Sequence, residues 1–125
     1  MMAIDKPPKK PSEIIIAASD SSSRSKRAAD YVCTGSDELL INDLFEDYKN
    51  LHLLNGIYDI RSTITPASNS QLTGEGSSTV LKAKNSINDH IINLASKTGV
   101  TLSNFKLDGN KSNQTFTTHT AKTGI

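Results

Sequence analysis

The sequence contains no tryptophan, one cysteine and few aromatic residues, and these shortages exclude several kinds of protein. With Cys33 as its one thiol, the chain can form neither an internal disulfide nor a metal site that requires two cysteines. No apolar run approaches the roughly 18 residues of a membrane span. Met2-Ala3-Ile4-Asp5 lacks the apolar core of a signal peptide. We therefore expect a soluble protein that is made in the cytoplasm.

The chain also lacks a surplus of charge. Its 14 Lys and Arg nearly balance 13 Asp and Glu, for a net charge of +1, so no overall field attracts nucleic acid or a membrane. Hydrophobic residues make up 35% of the 125 residues, which is low for a packed domain, whereas Ser, Thr and Asn are abundant. The length predicts one domain, or part of one, and the composition fits either a β structure with many polar corners or a chain that gains some of its burial from partners.

Residues 1–13 are predicted to be a flexible arm. Pro7, Pro8 and Pro11 prevent helix formation and disfavour strand pairing, and three lysines lie among them. Such an arm either stays extended or becomes ordered on a larger partner.

The segments after the arm alternate between apolar and polar. Residues 14–18 are an apolar run rich in isoleucine, which predicts a buried strand, and residues 19–25 read as a polar loop. The basic cluster Arg24, Lys26 and Arg27 is either a solvated surface or a contact for an acidic partner.

Residues 28–34 predict a second strand, in which Cys33 is expected to be a small buried side chain and not a nucleophile. A helix is then predicted from about Asp37 to Tyr48. Ser36 is a favourable N-cap, and Asp37 and Glu38 place negative charge in the first turn. One apolar stripe runs along the helix, formed by Leu40, Ile41, Leu44, Phe45 and Tyr48.

Short strands and corners are predicted for the rest of the chain. Asn55-Gly56 is a turn signal between two strands, and His52 alternates with two leucines, which favours a structural position facing solvent or a polar ladder. In residues 71–84, Gly74 and Gly76 form a corner between two further strands.

The spacing of the apolar positions is repetitive. Ile64 and Ile92 are 28 residues apart, Leu72 and Leu102 are 30 apart, and Val80 and Leu107 are 27 apart. Three short strands returning at a near-constant interval predict a β-solenoid, although a β-sandwich gives similar short strands.

Four runs together carry a resemblance to a known family. They are residues 29–38, residues 53–60 with Leu54-Asn55-Gly56, residues 72–81 with Gly74-Glu75-Gly76, and residues 100–110, ending in Asp108-Gly109-Asn110. Over about residues 14–110 the chain resembles the start of the right-handed parallel β-helix in phage tailspikes and related pectate-lyase-like proteins. Among these, it looks most similar to the N-terminal part of the preneck appendage (tailspike) proteins of small podophages of Gram-positive bacteria.

The resemblance implies both a fold and an organisation. The fold is expected to be mainly β, a right-handed parallel β-helix start with one N-terminal capping α-helix. The arm (1–13) is followed by a cap region (14–60) with its helix at about 37–48. The first coils of the β-helix (61–125) complete the chain and are truncated. Because residues 115–125 contain no capping helix, the chain is expected to continue into a longer protein.

The resemblance also implies a function. The chain is expected in the virion as the anchoring and shaft-initiating segment of a homotrimeric adsorption protein. Its N-terminal region would dock on virion head or head-tail connector proteins. Later parts of the chain would recognise host cell-surface glycan or teichoic acid. Neither a nucleic acid nor a membrane is expected as a partner.

The alternative function is a depolymerase, a hydrolase of teichoic acid or surface polysaccharide with its site in the groove of the coils. The carboxylates available there are Glu75, Asp89 and Asp108, and the histidines His90 and His119 have no assigned role. Glu75 and Asp108 lie on corners of successive predicted coils, but both residues also suit turns. No family catalytic motif matches, so we predict no catalytic residue, cofactor or metal site in this segment, and whether the chain is an enzyme stays open.

Overall fold

The computed structural model describes residues 13–85 and 90–110. The predicted arm, except Glu13, and residues 115–125 therefore lie outside the described residues. Within the described ranges the chain forms eight strands and two helices. In order these are β1 (Ile14–Ala17), α1 (Ser23–Ala28), β2 (Tyr31–Val32), α2 (Asp37–Phe45), β3 (Asn50–Leu53), β4 (Gly56–Ile60), β5 (Gln71–Thr73), β6 (Thr79–Ala83), β7 (Thr101–Ser103) and β8 (Lys106–Asp108).

All of the strands pair in parallel, in two separate sheets. The larger sheet has the order β2-β1-β3-β5-β7, and the smaller one has the order β4-β6-β8. The predicted right-handed parallel β-helix with a single capping helix is therefore wrong. The chain instead has an α/β-like arrangement, in which two parallel sheets of five and three strands are accompanied by two short helices.

Two features explain why the repeat did not give the predicted fold. The expected strand around Ile64 is reduced to a single bridge with Ile92. Pro66 follows two residues later and has no N–H with which to extend a ladder. In addition, the segment expected to be a serine-rich loop contains α1, which is capped by the Ser22 hydroxyl on the N–H of Ser25.

The spacing nevertheless identified which residues become neighbours. Leu72 pairs with Leu102, and Ile64 forms its bridge with Ile92. The third pair is displaced by one position, because Leu107 lies opposite Leu81 and not opposite Val80.

The inward-facing side chains of both sheets meet in one core, which α2 also contacts. Ile16, Leu53, Leu72 and Leu81 are completely buried in it. The stripe on α2 is confirmed in part: Ile41, Leu44 and Phe45 are buried, while Leu40 and Tyr48 pack at the margin. The helix ends at Phe45, three residues earlier than predicted.

Two glycine corners carry the chain from the larger sheet to the smaller one. The predicted Asn55-Gly56 turn joins β3 to β4, and a Cβ on Gly56 would lie 2.6 Å from the Cβ of Ala18. The corner in residues 71–84 joins β5 to β6, as predicted. A Cβ on Gly74 would collide with the backbone carbonyl oxygen of Asn104.

Carboxylates cover the outer edge of β4. Three alternate N–H groups donate to them: Ile57 to Asp20 (2.8 Å), Asp59 to Asp37 (2.8 Å) and Arg61 to Glu38 (2.9 Å). The Asn42 side chain continues the row, because it accepts from the N–H of Thr65 and donates to the carbonyl of Thr63. Side chains thus supply the acceptors that a neighbouring strand would otherwise provide.

The start of α2 also differs from the prediction, because its first two side chains cover the edge of β4. Ser36 has a left-handed conformation (φ 49°) and makes no side-chain cap. Asp37 and Glu38 are buried and directed toward β4, so their main role is to cover a sheet edge. Among residues 13–85 and 90–110, no helix is long and apolar enough to span a membrane.

Candidate functional site

The outer face of the smaller sheet carries a row of alternating charge. Because side chains alternate along a strand, Tyr58 and Leu81 point into the core, and Asp59 and Lys82 point outward. The strand register places Asp59, Lys82 and Asp108 side by side across β4, β6 and β8. A lysine therefore lies between two carboxylates on neighbouring strands.

A groove of about 420 Å³ lies at this face. Its walls include Asp20, Ile57, Asp59, Lys82 and Lys84. Ile57 is 49% exposed, which adds an apolar surface to an otherwise polar groove.

Asp59 is held in place by several partners. Its carboxylate lies 3.2 Å from Arg61 Nε and 3.5 Å from Lys84 Nζ, while its backbone N–H donates to Asp37. The carboxylate is thus shared between two cations at the rim of the groove, and its position depends on the covered edge of β4.

Asn110 fixes the opposite side of the groove. Its side-chain nitrogen donates to the carbonyl of Ala83 at 3.0 Å and to Oδ1 of Asn85 at 2.8 Å. Its backbone N–H donates to Asp108 Oδ1 at 2.9 Å. The predicted Asp108-Gly109-Asn110 corner therefore holds Asp108 against the sheet, and the groove presents carboxylates, ammonium groups and amides to a polar ligand.

A second polar cluster surrounds the glycine corner after β5. The Glu75 carboxylate accepts the N–H of Asn55 at 2.8 Å and lies 4.0 Å from His52 Nε2. The other ring nitrogen of His52 lies 2.8 Å from Thr73 Oγ1. His52 therefore takes part in a polar ladder between neighbouring strands, as predicted, and Glu75 tethers the corner to the turn before it.

The structure does not bring the predicted candidate carboxylates together. Glu75 follows β5 of the larger sheet, whereas Asp108 ends β8 of the smaller one. His90 is half-buried, and its backbone carbonyl accepts the Thr63 hydroxyl. Asp89 and His119 lie outside the described residues.

Cys33 is buried, which confirms its predicted place in the core. Burial raises the pKa of its thiol to about 12, and the nearby Asp37 adds to the shift. The thiol therefore stays protonated at neutral pH and is a poor nucleophile. In the part of the chain that the structure describes, no group of three or more His, Cys, Asp and Glu side chains could hold a metal ion.

Sequence reasoning missed the row of Asp59, Lys82 and Asp108. Each residue occupies an outward position of a short strand, which is a detectable signal. Their adjacency, however, requires the exact register of three strands, and the predicted Val80–Leu107 pairing was off by one residue.

Comparisons of the chain with protein-family models, with curated proteins and with solved structures gave no match.

Proposed function

We propose that this chain is the anchoring and shaft-initiating segment of a virion-attached adsorption protein, a homotrimeric tailspike or appendage with which a phage recognises the host cell surface. The observation that supports this proposal best is the contrast between the two sides of the structure. Side chains close the smaller sheet at β4, whereas at the opposite end no strand within residues 13–85 and 90–110 lies beyond β7 or β8.

The closed side is formed at β4 and α2. Asp20 and Asp37 accept edge N–H groups of β4, Glu38 accepts that of the residue after it, and α2 packs its apolar face onto the core. A strand edge treated in this way is protected from pairing with another chain.

The open side is formed by β7 and β8, which are the last strands in their sheets. Within residues 13–85 and 90–110, no strand lies beyond either of them. Leu102, Phe105 and Leu107 pack against the core there but remain only partly buried. A module whose smaller sheet is closed at β4, and whose two sheets can both be extended at β7 and β8, suits the first segment of a fibre.

The test uses the phage that encodes the chain. Deleting residues 1–13 should leave the fold intact by circular dichroism and should abolish incorporation of the chain into purified particles, measured by immunoblot. Light scattering of the isolated chain should give three times the monomer mass of 13.5 kDa. Absence of the intact chain from purified particles would refute the proposal.

A hydrolase is the second candidate, because two carboxylates lie in register on the outer face of the smaller sheet: Asp59 lines the groove, and Asp108 lies on the other side of Lys82. Asp59 and Asp108 flank Lys82 two strand spacings apart, which places their Cα atoms roughly 10 Å from each other. Inverting glycosidases hold their carboxyl groups about 6.5–9.5 Å apart. The Cα atoms of Asp59 and Asp108 are therefore spaced slightly more widely than the carboxyl groups of that class.

This second candidate has a direct assay. The chain is incubated with purified wall teichoic acid or capsule, and released sugar or glycerol phosphate is measured. Hydrolysis that is lost in both D59N and D108N would support a hydrolase, with D43N as an exposed control on α2. No product release by the native chain, or release by D59N and D108N equal to that of the native chain, would exclude these carboxylates as the catalytic pair.

A further inference from the structure

We infer that the surface formed by α1 and β2 is a docking surface of the anchoring segment, in addition to the arm of residues 1–13, and that its partner is an extended acidic protein segment. We refer to this surface, formed by Arg24, Lys26, Arg27, Tyr31 and Val32, as the α1–β2 surface. The inference rests on the proposed function and deepens it, because it specifies where the virion partner binds and what chemistry it presents.

The first observation is unpaired positive charge on α1. Arg24 and Arg27 are exposed and Lys26 is half-exposed. Within the described ranges, none of these three cations forms an ion pair or side-chain hydrogen bond. Asp30, the carboxylate that follows α1 in the chain, accepts the backbone N–H of Ile15 at 2.8 Å. The positive charge is therefore available for an acidic partner.

The second observation is the outer edge of β2, the strand that follows α1 in the chain. β2 is the terminal strand of the larger sheet and is paired on one side by β1. No strand in the described part of the chain lies on its outer side. Its two side chains, Tyr31 and Val32, are each 40% exposed. An extended peptide can add to such an edge through backbone hydrogen bonds.

The two features belong to one rigid surface. Ala29 lies between α1 and β2 in sequence, and it is buried in a small cluster with Ala17 of β1 and Leu54. The N–H of Asp30 also bonds to the carbonyl of Ile15 in β1. Because α1 and β2 are both held against β1, the cations and the free edge keep a fixed relation to each other.

Charge and shape favour a protein segment over nucleic acid. The chain as a whole has a net charge of +1, and the α1–β2 surface offers one aromatic ring, which is too little for stacking successive bases. A strand that alternates acidic and small apolar residues would instead satisfy the edge, contact Tyr31 and Val32, and neutralise the three cations.

Fluorescence anisotropy with the full chain tests the inference. The probe is a short labelled peptide in which Glu alternates with Val and Thr, and short oligothymidylate is the competing ligand. We expect peptide binding at low salt that weakens as salt is added. The triple variant R24E/K26E/R27E should bind the peptide at least about tenfold more weakly. The milder R24Q/K26Q/R27Q should lie between this variant and the native chain.

The matched control is K49E/K97E/K106E, which makes the same change of charge at exposed lysines elsewhere. It should retain the native affinity within about twofold. No peptide binding by the native chain, an equal loss in the control, or equally tight binding of oligothymidylate would overturn the inference.

A separate readout keeps the two proposals distinguishable. If R24E/K26E/R27E enters particles as well as the native chain and the 1–13 deletion does not, the docking surface is wrong and the anchoring function stands. If the native chain is absent from particles, the anchoring function fails whatever the peptide does.

Discussion

Replacing Asp37 by alanine tests most directly how α2 protects the edge of β4. The buried carboxylate accepts the N–H groups of Gly35 at 2.9 Å and of Asp59 at 2.8 Å. A hydrogen bond to a charged acceptor contributes about 1.5–3 kcal/mol, but burying a carboxylate has its own cost. Because Gly35 is exposed and can bond to water after the change, we expect a net loss of about 2 kcal/mol for D37A.

Urea denaturation at neutral pH measures the free energy of unfolding, and amide hydrogen exchange reports on the edge itself. In D37A the N–H of Asp59 should exchange faster, because its acceptor has been removed. The control is D43A, an exposed position on the same helix, which should change stability by no more than about 0.5 kcal/mol. If D37A behaves like D43A in both measurements, the proposed edge protection is refuted.

The carboxyl group of Asp37 also predicts the direction in which the stability of the fold changes with pH. Burial raises the pKa of Asp37 above its ordinary value of 3.8, and the nearby Asp59 and Glu38 add to the shift. The folded chain then holds a proton at pH values where the unfolded chain has lost it. The resulting stability is fully present below pH 3.8 and is lost as the pH rises through the raised pKa. The stability of the native chain relative to D37N should therefore fall across this window, and a rise would contradict the assignment.

Three further predictions test other parts of the fold. L44D places a charge in the core beneath α2 and should lower the free energy of unfolding by about 3–5 kcal/mol; an unchanged melting temperature would show that α2 does not cover the core. G56A should destabilise the fold more than G76A in urea denaturation, because both have positive φ but only the Cβ at Gly56 meets Ala18; equal losses would leave backbone strain as the sole cause. Cys33 should resist thiol alkylation at pH 8 until urea unfolds the chain, because burial raises its pKa to about 12; rapid labelling of the folded chain would contradict its burial.

Local structure could be read from the sequence where a signal was both short-range and strong. The apolar run at β1, the stripe on α2 and the Asn55-Gly56 turn each depend on residues within one element or one corner. Serine-rich α1 was missed because serine favours caps and loops over helix interiors.

The assembly of these elements could not be read in the same way. Repeated spacing identifies residues that become neighbours, such as Leu72 and Leu102, but it does not determine how many strands form between one repeat and the next. Around Ile64 no full strand forms, because Pro66 limits the pairing to a single bridge with Ile92. The hydrogen bond from Asp59 to Asp37 also joins residues 22 positions apart, and no local pattern signals it.

Asp59 links the closed edge to the candidate groove. Its N–H donates to Asp37, the first residue of α2, while its carboxylate contacts Arg61 and Lys84 at the rim of the groove. Removal of the Asp37 carboxylate would therefore leave the N–H of Asp59 without its acceptor and loosen the backbone that positions the Asp59 carboxylate. The helix that protects the sheet edge thus also supports the geometry of the groove, so a variant of α2 can alter ligand binding without touching the ligand. For this reason, any test of binding at the groove should compare D37A with D59N. D37A displaces the Asp59 carboxylate, whereas D59N removes it.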